Sequence, residues 1–354
     1  MTTDTVQLSA PDRAAVLVLP HLRVQGANAI SSPLTWGFPA MTAFTGLMTA
    51  LERRLGPQAG IAFLGVGVVC HGYEAQVSGG YTRAFHLSRH PVLADGSSAA
   101  LVEEGRIHLD LTLVFSVDLA KELVGDAERA ALAARVGHTL ASMRLAGGSV
   151  LPPIGGVGTG ARRKGHPSLA LLADVEDAEA GRAQFRKLAR QWMPGFALVS
   201  RDDLLQNHLA HMRQAEPATT VLDAWLDLSR WNSQAALAPD HDGEPTDATP
   251  ATWTTAPRAG WTVPIPVGFA GLTPLQAPGT VAGARDRSTP VRFVETVWSM
   301  GQWISPHRLR SLADLVWFPV YTPPTAEDSA HALYRCVNEY TPSPTVWAPE
   351  AING

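Results

Sequence analysis

Residues 14–55, AAVLVLPHLRVQGANAISSPLTWGFPAMTAFTGLMTALERRL, decide the fold of this chain. The apolar run VLVL at 16–19 predicts a strand that is buried on both faces. Apolar residues then recur at spacings of three and four, which predicts an amphipathic helix from about Pro39 to Leu55. Between them, QGANAISSPLTWG at 25–37 offers amides, hydroxyls and a Trp, groups that suit phosphates or bases.

The composition excludes several classes of protein. At 354 residues, with 45% hydrophobic and 17% charged residues, the chain is globular and can bury a large core. A net charge of −4 argues against coating nucleic acid by bulk charge, so RNA binding must be local or shared with partners. We expect a cytoplasmic protein without a signal peptide or membrane span. Because Cys70 and Cys336 have no metal or disulfide spacing, and no nucleotide fingerprint occurs, we expect neither metal nor cofactor.

Strands and helices continue to alternate after the first helix. We expect a strand over 61–78 that Gly65 and Gly67 interrupt, a hairpin from Tyr81, and a strand over 106–117. On the last strand, one face is apolar and the other polar: Ile107, Leu109, Leu111, Leu113 and Phe115 against His108, Asp110 and Thr112. An Ala-rich helix over 126–145 with an Asp126 cap, then a short strand at 149–151, completes the order.

This order predicts an α+β fold with the ferredoxin-like arrangement, which RNA-recognition motifs share. Many unrelated proteins also share it, so the order alone leaves the function open. We predict a first domain over 1–153 and a C-terminal extension over 154–354. Within the extension we expect helices over 168–231, a flexible segment over 233–257, mixed structure over 258–354, and a proline-rich tail from 322 that wraps the surface.

Two groups of polar and aromatic residues are candidates for nucleic-acid contact. The turn at 25–37 offers hydrogen-bonding groups and one ring: Gln25, Asn28, Ser31, Ser32, Thr35 and Trp36. The alternative is an ordinary helix entry, in which the serines cap and Trp36 packs in the core. The stretch 81–89 mixes rings with cations: Tyr81, Arg83, Phe85, His86 and Arg89. The alternative there is a charged surface hairpin.

Two further groups are basic. Residues 135–190 contain nine cations and four carboxylates, a local charge excess of +5. The cations include Arg144 and the triplet 162–164. Over 284–295 lie Arg285, Arg287 and Arg292, with His307 following. The alternatives are a solvated helix face for the first group and salt bridges to Asp286 and Glu295 for the second.

Several strings resemble one family, in the family's order and over most of the chain. They include ANAISSPLTWGFP at 27–39, CHGYEAQVS at 70–78, PGFALVSRDDLLQNHL at 194–209, GWTVPIPVGFAGLTPL at 260–275 and WISPHRL at 303–309. The family is the tail subunit of the type I-F CRISPR surveillance complex (the Csy complex), the Cas-five member of the RAMP superfamily. The segments 155–168 and 233–257 resemble no family string, so the triplet 162–164 is not counted as a site.

The resemblance implies a non-catalytic RNA-binding subunit that holds the 5′ handle of the guide RNA. It implies a ferredoxin-like palm with a thumb hairpin at about 79–104. The implied partners are the large subunit, an adjacent backbone subunit, the guide RNA and, within the complex, target DNA. RNA contacts are then expected at Gln25, Asn28, Ser31, Ser32, Thr35, Trp36, Arg53, Arg83, His86, Arg89, Arg144, Arg285, Arg287, Arg292 and His307.

Two alternatives remain open. Some members of the same superfamily are metal-independent endoribonucleases that process guide RNA precursors by acid–base chemistry, which requires two titrating groups beside one phosphate. Six histidines lie in the first domain, but their spacing singles out no pair. A ferredoxin-like enzyme or interaction module unrelated to RNA is the third hypothesis.

Overall fold

The structure is a computed structural model that describes residues 14–80, 82–88, 92–93, 95–120, 125–152, 165–172, 178–237, 251–255, 258 and 260–342. The first elements are β1 (Ala14–Asn28), β2 (Ile30–Ser32), β3 (Thr35–Trp36), α1 (Met41–Leu55), β4 (Ile61–Ala75), β5 (Val77–Ser78), β6 (Ala84–Phe85), β7 (Leu87–Ser88), β8 (Val102–Glu103), β9 (Arg106–Leu119), α2 (Asp126–Ala141), β10 (Arg144–Leu145) and β11 (Gly148–Leu151). The later ones are β12 (Ser168–Leu171), α3 (Ala178–Gln191), β13 (Phe196–Ser200), α4 (Asp202–Ala215), α5 (Val221–Ser229), β14 (Ser233–Leu237), β15 (Ala251–Thr255), β16 (Trp261–Gly271), β17 (Val294–Ile304), α6 (Leu312–Leu315), β18 (Trp317–Thr322) and β19 (Leu333–Asn338).

Eleven of these strands form one antiparallel sheet in the described part of the chain. Their spatial order is β10-β11-β1-β9-β4-β13-β17-β16-β19-β18, and β12 pairs with β1 beside β11. The protein is therefore a mixed α/β structure with a largely antiparallel sheet. None of the helices in the described residues has both the length and the apolar character that crossing a bilayer requires.

Helices α1 and α2 pack on one face of β1, β9 and β4. The five apolar side chains that the alternation placed on one face of β9, from Ile107 to Phe115, are all buried there, so that prediction is confirmed. Phe115 meets the ring of Phe63 edge-on, with centroids 5.2 Å apart. Each such side chain stabilises the fold by roughly 1.5–3 kcal/mol through burial. We call this the covered face of the sheet.

The opposite face is covered over only part of its length. Helix α3 packs there through Phe185 and Ala189, with Trp192 directly after the helix, against Val16 and Val18 of β1 among others. Further along β1 and β9, towards the end of β1 and the start of β9, polar side chains replace these valines and stay accessible. We call that stretch the open face.

The sheet curls back on β4. One edge of β4 pairs with both β13, at Cys70, and β18, at Val66. A Cβ added to Gly67 would lie 2.4 Å from Cγ of Leu315, and one added to Gly65 would lie 2.4 Å from Cγ1 of Val316. Our prediction that the two glycines interrupt the strand is therefore wrong. They lie within β4 and let α6 and β18 approach its backbone.

Several details differ from the sequence-based expectations. Part of the tail expected to wrap the surface is instead a strand of the sheet: half-buried β19 lies between β16 and β18, while 343–354 lie outside the described residues. The ends of the segment expected to be flexible pair as β14 and β15, while 238–250 lies outside the described residues. Strands β12 and β13 interrupt the region expected to be helical. Gly125, not Asp126, is the N-cap of α2.

Candidate nucleic-acid interface

An open depression of about 450 Å³ lies at the open face, where β1 and β4 end and β9 and β11 begin. It brings together three of the predicted RNA-binding residues, Gln25, His86 and Arg144, which are far apart in the chain. The remaining lining residues are Gly26, Gln76, Ser88, Glu104, Arg106, His108, Gly147 and Ser149. A second open depression, of about 490 Å³ at the end of α4, contains no predicted site residue.

A bulge in β1 shapes the depression. Gly26 has a φ of +66°, a conformation that favours glycine, where the register between Val24 and Ala27 shifts. Its N–H donates to Nδ1 of His108 at 3.0 Å, and its carbonyl accepts from Arg106 at 3.3 Å. These two bonds hold both side chains of β9 against the end of β1. Neither residue was among our predicted contacts, although the polar alternation along β9 already distinguished His108.

The cations of the depression are only partly satisfied by the protein. Arg106 forms an ion pair with Glu104 at 2.9 Å. Arg144 is exposed and donates one bond to the carbonyl of Gly147 at 3.1 Å. A guanidinium has five N–H donors, so each Arg retains donors with which to bind a phosphate.

The ring of Trp36 lies at the surface, 51% exposed. It contacts Phe85 of β6 edge-on, with centroids 5.5 Å apart. The alternative in which Trp36 packs in the core is therefore wrong. An exposed ring of this kind offers a stacking surface for a base.

The hydroxyls of the same turn bond to one another. The Oγ of buried Ser32 lies 2.6 Å from Oγ1 of buried Thr35 and accepts from Nε1 of Trp298 at 2.9 Å. Oγ of Ser31 lies 2.8 Å from the same Thr35 atom. The hydroxyls therefore fasten the turn to β17, and the serines do not cap α1, whose N-cap is Ala40. Direct RNA contact by these three residues stays a prediction.

Other predicted contacts do not line the depression. The amide of exposed Asn28 bonds to the backbone of Ile30 at 2.8 Å. Arg53 is exposed in the last turn of α1, and Arg83 is exposed between β5 and β6. His307 bonds to Oγ of Ser305 at 2.8 Å. Arg89 lies outside the described residues, as do Tyr81 and residues 162–164.

The loop between β16 and β17 carries three more predicted residues. Arg285 and Arg287 are exposed, and the salt bridge that we considered to Asp286 is absent among the described residues. Asp286 instead accepts bonds from Ser288 and Thr289, which lower the pKa of its carboxyl to about 2. Arg292 is half-buried and reaches the carbonyl of Ala330 at 3.5 Å.

The structure also pairs two histidines that sequence spacing did not single out. The rings of His21 and His71 stack with centroids 4.2 Å apart. Nδ1 of His21 lies 3.1 Å from Asp110, and Nε2 of His71 lies 2.7 Å from Oγ1 of Thr112. His21 has a φ of 49° at the first bulge of β1, an uncommon conformation for a residue other than glycine. The pair lies on the open face, between the depression and α3, because Asp110 and Thr112 separate His108 from Val114 along β9.

These features define a class: an α/β protein with a largely antiparallel sheet, whose open face gathers cations, imidazoles and exposed rings. Comparison with known proteins identifies the family. The family model of the CRISPR-associated protein Csy2 (Cas_Csy2) matches residues 17–336, and this chain belongs to that family. It is 46% identical over 315 residues to "CRISPR-associated protein Csy2" of Pseudomonas aeruginosa (strain UCBPP-PA14), a match that covers 88% of this chain and 93% of that relative. Both findings support a subunit of a CRISPR Csy complex.

Proposed function

We propose that this protein is a non-catalytic RNA-binding subunit of the Csy complex, whose open face holds the 5′ handle of the guide RNA. The observation that carries the proposal is the depression that joins Gln25, His86 and Arg144. Arg106 and Arg144 supply charge for the backbone, while polar side chains and nearby rings suit unpaired bases. A single-stranded handle has both its backbone and its bases available for such contacts.

The fold supports this proposal. In the order β11-β1-β9-β4, with α1 and α2 on one face, we infer the ferredoxin-like palm of the RAMP superfamily. The paired segments β5 with β6 and β7 with β8 form the hairpin that we assign as the thumb. His86 lies between β6 and β7 and lines the depression, so the thumb borders the RNA site that we propose.

Partner subunits are part of the proposal. Several large apolar side chains of β16, β17 and the loop between them are exposed, and a partner protein would cover them: Phe269, Leu272, Leu275, Phe293 and Val294. We assign this surface to the large subunit of the complex. The adjacent backbone subunit, target DNA within the complex and a cytoplasmic location complete the proposal.

The test is binding of labelled guide RNA to the purified chain, with and without the large subunit. Probes with an intact handle, with a scrambled handle and with spacer alone are compared across a salt series. We expect preference for the intact handle without cutting of the RNA. Arg106→Gln/Arg144→Gln should lower handle affinity roughly 10- to 100-fold, whereas the matched control Arg213→Gln/Arg335→Gln should not. No preference for the handle in either state would contradict the proposal.

One observation favours a second candidate, a metal-independent endoribonuclease. Asp110 accepts a bond from Nδ1 of His21 when that nitrogen carries the proton, and Nε2 is then a base beside the stacked ring of His71. Acid–base cleavage of RNA needs two such groups near one phosphate.

Gel electrophoresis of the labelled RNA from the same experiment shows whether the RNA is cut, and this distinguishes the two candidate functions. Cutting of a guide precursor in the presence of a chelator, lost in His21→Ala and in His71→Ala, would support the nuclease. RNA that stays uncut with the wild-type chain and with its complex would contradict the nuclease and support the non-catalytic binding subunit. His138, an exposed-helix histidine of α2, provides the matched control variant His138→Ala.

A further inference from the structure

Helix α3 carries a line of exposed cations that the handle site does not use. Its apolar side is buried against the sheet through Phe185 and Ala189. Its outer side consists of exposed residues, of which four are cations: Arg182, Arg186, Lys187 and Arg190. We call these four the α3 stripe.

The cations of the α3 stripe have no partner within the described part of the chain. None of them makes a hydrogen bond or an ion pair there. By contrast, the cations of α2 are paired: Arg129 with Asp126, and Arg135 with the carbonyl of Leu55. With Glu179 as its one carboxylate, α3 has a net charge of +3, in a chain whose net charge is −4. Neighbouring like charges destabilise an isolated helix, so the stripe suits an anionic partner.

Its geometry favours a regular polyanion. Arg182, Arg186 and Arg190 follow one another at intervals of four residues. A helix rises about 1.5 Å per residue, so the three cations stand about 6 Å apart along one side of a rigid helix. A line of charges along one rigid element fits an extended row of phosphates better than a single small anion.

The chemistry of the stripe favours a duplex over a single strand. Sites for single strands combine cations with exposed rings on which bases stack. The nearest aromatic residues of α3 and its end, Phe185 and Trp192, are buried at 1% and 3% exposure and contact each other. A duplex presents its phosphates outward and keeps its bases stacked, so cations alone suffice to bind it.

We propose that the α3 stripe binds the phosphate backbone of double-stranded DNA, without regard to sequence. Helix α3 packs on the same side of the sheet as the depression and the His21–His71 pair, so the duplex would lie on the side where guide RNA is proposed to bind. The inference deepens the proposed function by adding a DNA contact, but it does not require RNA in the depression.

The test measures binding of a labelled random duplex of about 30 bp, and separately of handle RNA, to the full chain and to its complex with the large subunit, across a salt series. We expect Arg186→Gln/Arg190→Gln to weaken duplex binding about tenfold and to lower the slope of log affinity against log salt by about two. Handle affinity should change less than about twofold, because the base-binding groups remain. Arg186→Lys/Arg190→Lys should keep duplex affinity within about threefold, since charge suffices for such contacts.

The matched control is Arg213→Gln/Arg335→Gln, which removes the same charge from α4 and β19. Equal duplex affinity in the stripe variant and this control would overturn the proposal, as would a wild-type chain and complex that bind no duplex. A parallel loss of handle and duplex binding in the stripe variant would also overturn it, because α3 would then belong to the RNA site. Failure of the handle probe alone would count against the proposed function and not against this inference.

Discussion

The two faces of β9 carry different chemistry. On the covered face, Leu109, Leu111 and Phe115 are buried under α1 and α2. On the other face, Arg106 and His108 line the depression, while Val114 of the same face is buried under α3. The comparison shows that the alternation of apolar and polar residues along β9 determines its two faces. Which part of a face stays exposed to solvent depends on the helices that pack on it. The candidate site is the part of this face that α3 leaves uncovered.

The largest effect is expected from the covered face. Phe115→Ala removes a ring that is 0% exposed and that contacts Phe63. The free energy of unfolding should fall by about 3–5 kcal/mol, measured by urea denaturation. His108→Ala on the other face of the same strand should cost about 1 kcal/mol, for one lost hydrogen bond. Equal losses from both variants would break the distinction between the faces.

The second prediction concerns Cys70 and Cys336, whose thiols are buried in the hydrophobic core on the covered face. Burial raises the pKa of the Cys70 and Cys336 thiols from 9.0 to about 11. A raised pKa in the folded state favours folding below pH 9, and that contribution disappears as the pH rises through about 11. Between these pH values the free energy of unfolding should fall by roughly 2 kcal/mol for each thiol.

The double variant Cys70→Ala/Cys336→Ala is the control for the thiols, because other groups also titrate at alkaline pH. Its stability should decline less steeply over the same pH interval. Identical slopes for the two proteins would show that neither thiol has a raised pKa in the folded protein, and that the core around both is less tightly closed than the structure has it. Chemical denaturation at several pH values measures both slopes.

The third prediction tests which part of the sheet face opposite α1 and α2 is covered by other elements and which part is open. Gly67 lies opposite Val114 under α6, and a Cβ there would overlap Leu315. Gly72 lies opposite Asp110, and a Cβ there meets nothing within 4 Å. Gly67→Ala should therefore destabilise the protein by about 1–3 kcal/mol, and Gly72→Ala by less than about 0.5 kcal/mol, in thermal and urea denaturation. A neutral Gly67→Ala would contradict the close approach of α6.

Much of this contrast could be predicted from local patterns. The alternation along β9 fixed its two faces, and the helical spacing in 39–55 placed Phe44 and Leu51 in the core. The turn residues Ser32 and Thr35 were harder, because hydroxyls that bind a phosphate and hydroxyls that bond to each other have the same sequence pattern. The bond from Trp298, which is distant in the chain, shows that the hydroxyl of Ser32 is used within the protein, and its RNA contact stays a prediction.

Long-range register explains the rest. The stacking of His21 on His71 depends on bulges in β1 and β4, which no spacing in the sequence reveals. The insertion of β19 beside β16 joins residues that are distant in the chain. Arg144 and Gln25 face one depression because β11 pairs with β1 and carries β10 with it. Contacts of this kind arise from topology, so their residues could be named from sequence while their grouping could not.

The smallest effect is expected from a single cation of the open face. Arg144→Gln leaves the covered core untouched, so the free energy of unfolding should change by less than about 0.5 kcal/mol. Handle affinity should fall roughly five- to tenfold, and the salt slope should decrease by about one, as for one lost phosphate contact. Arg213→Gln, which removes an equal charge at α4, should alter neither the handle affinity nor the salt slope. If both variants reduced affinity equally, the open face would contribute only net charge, and the contrast between the faces of β9 would concern stability alone.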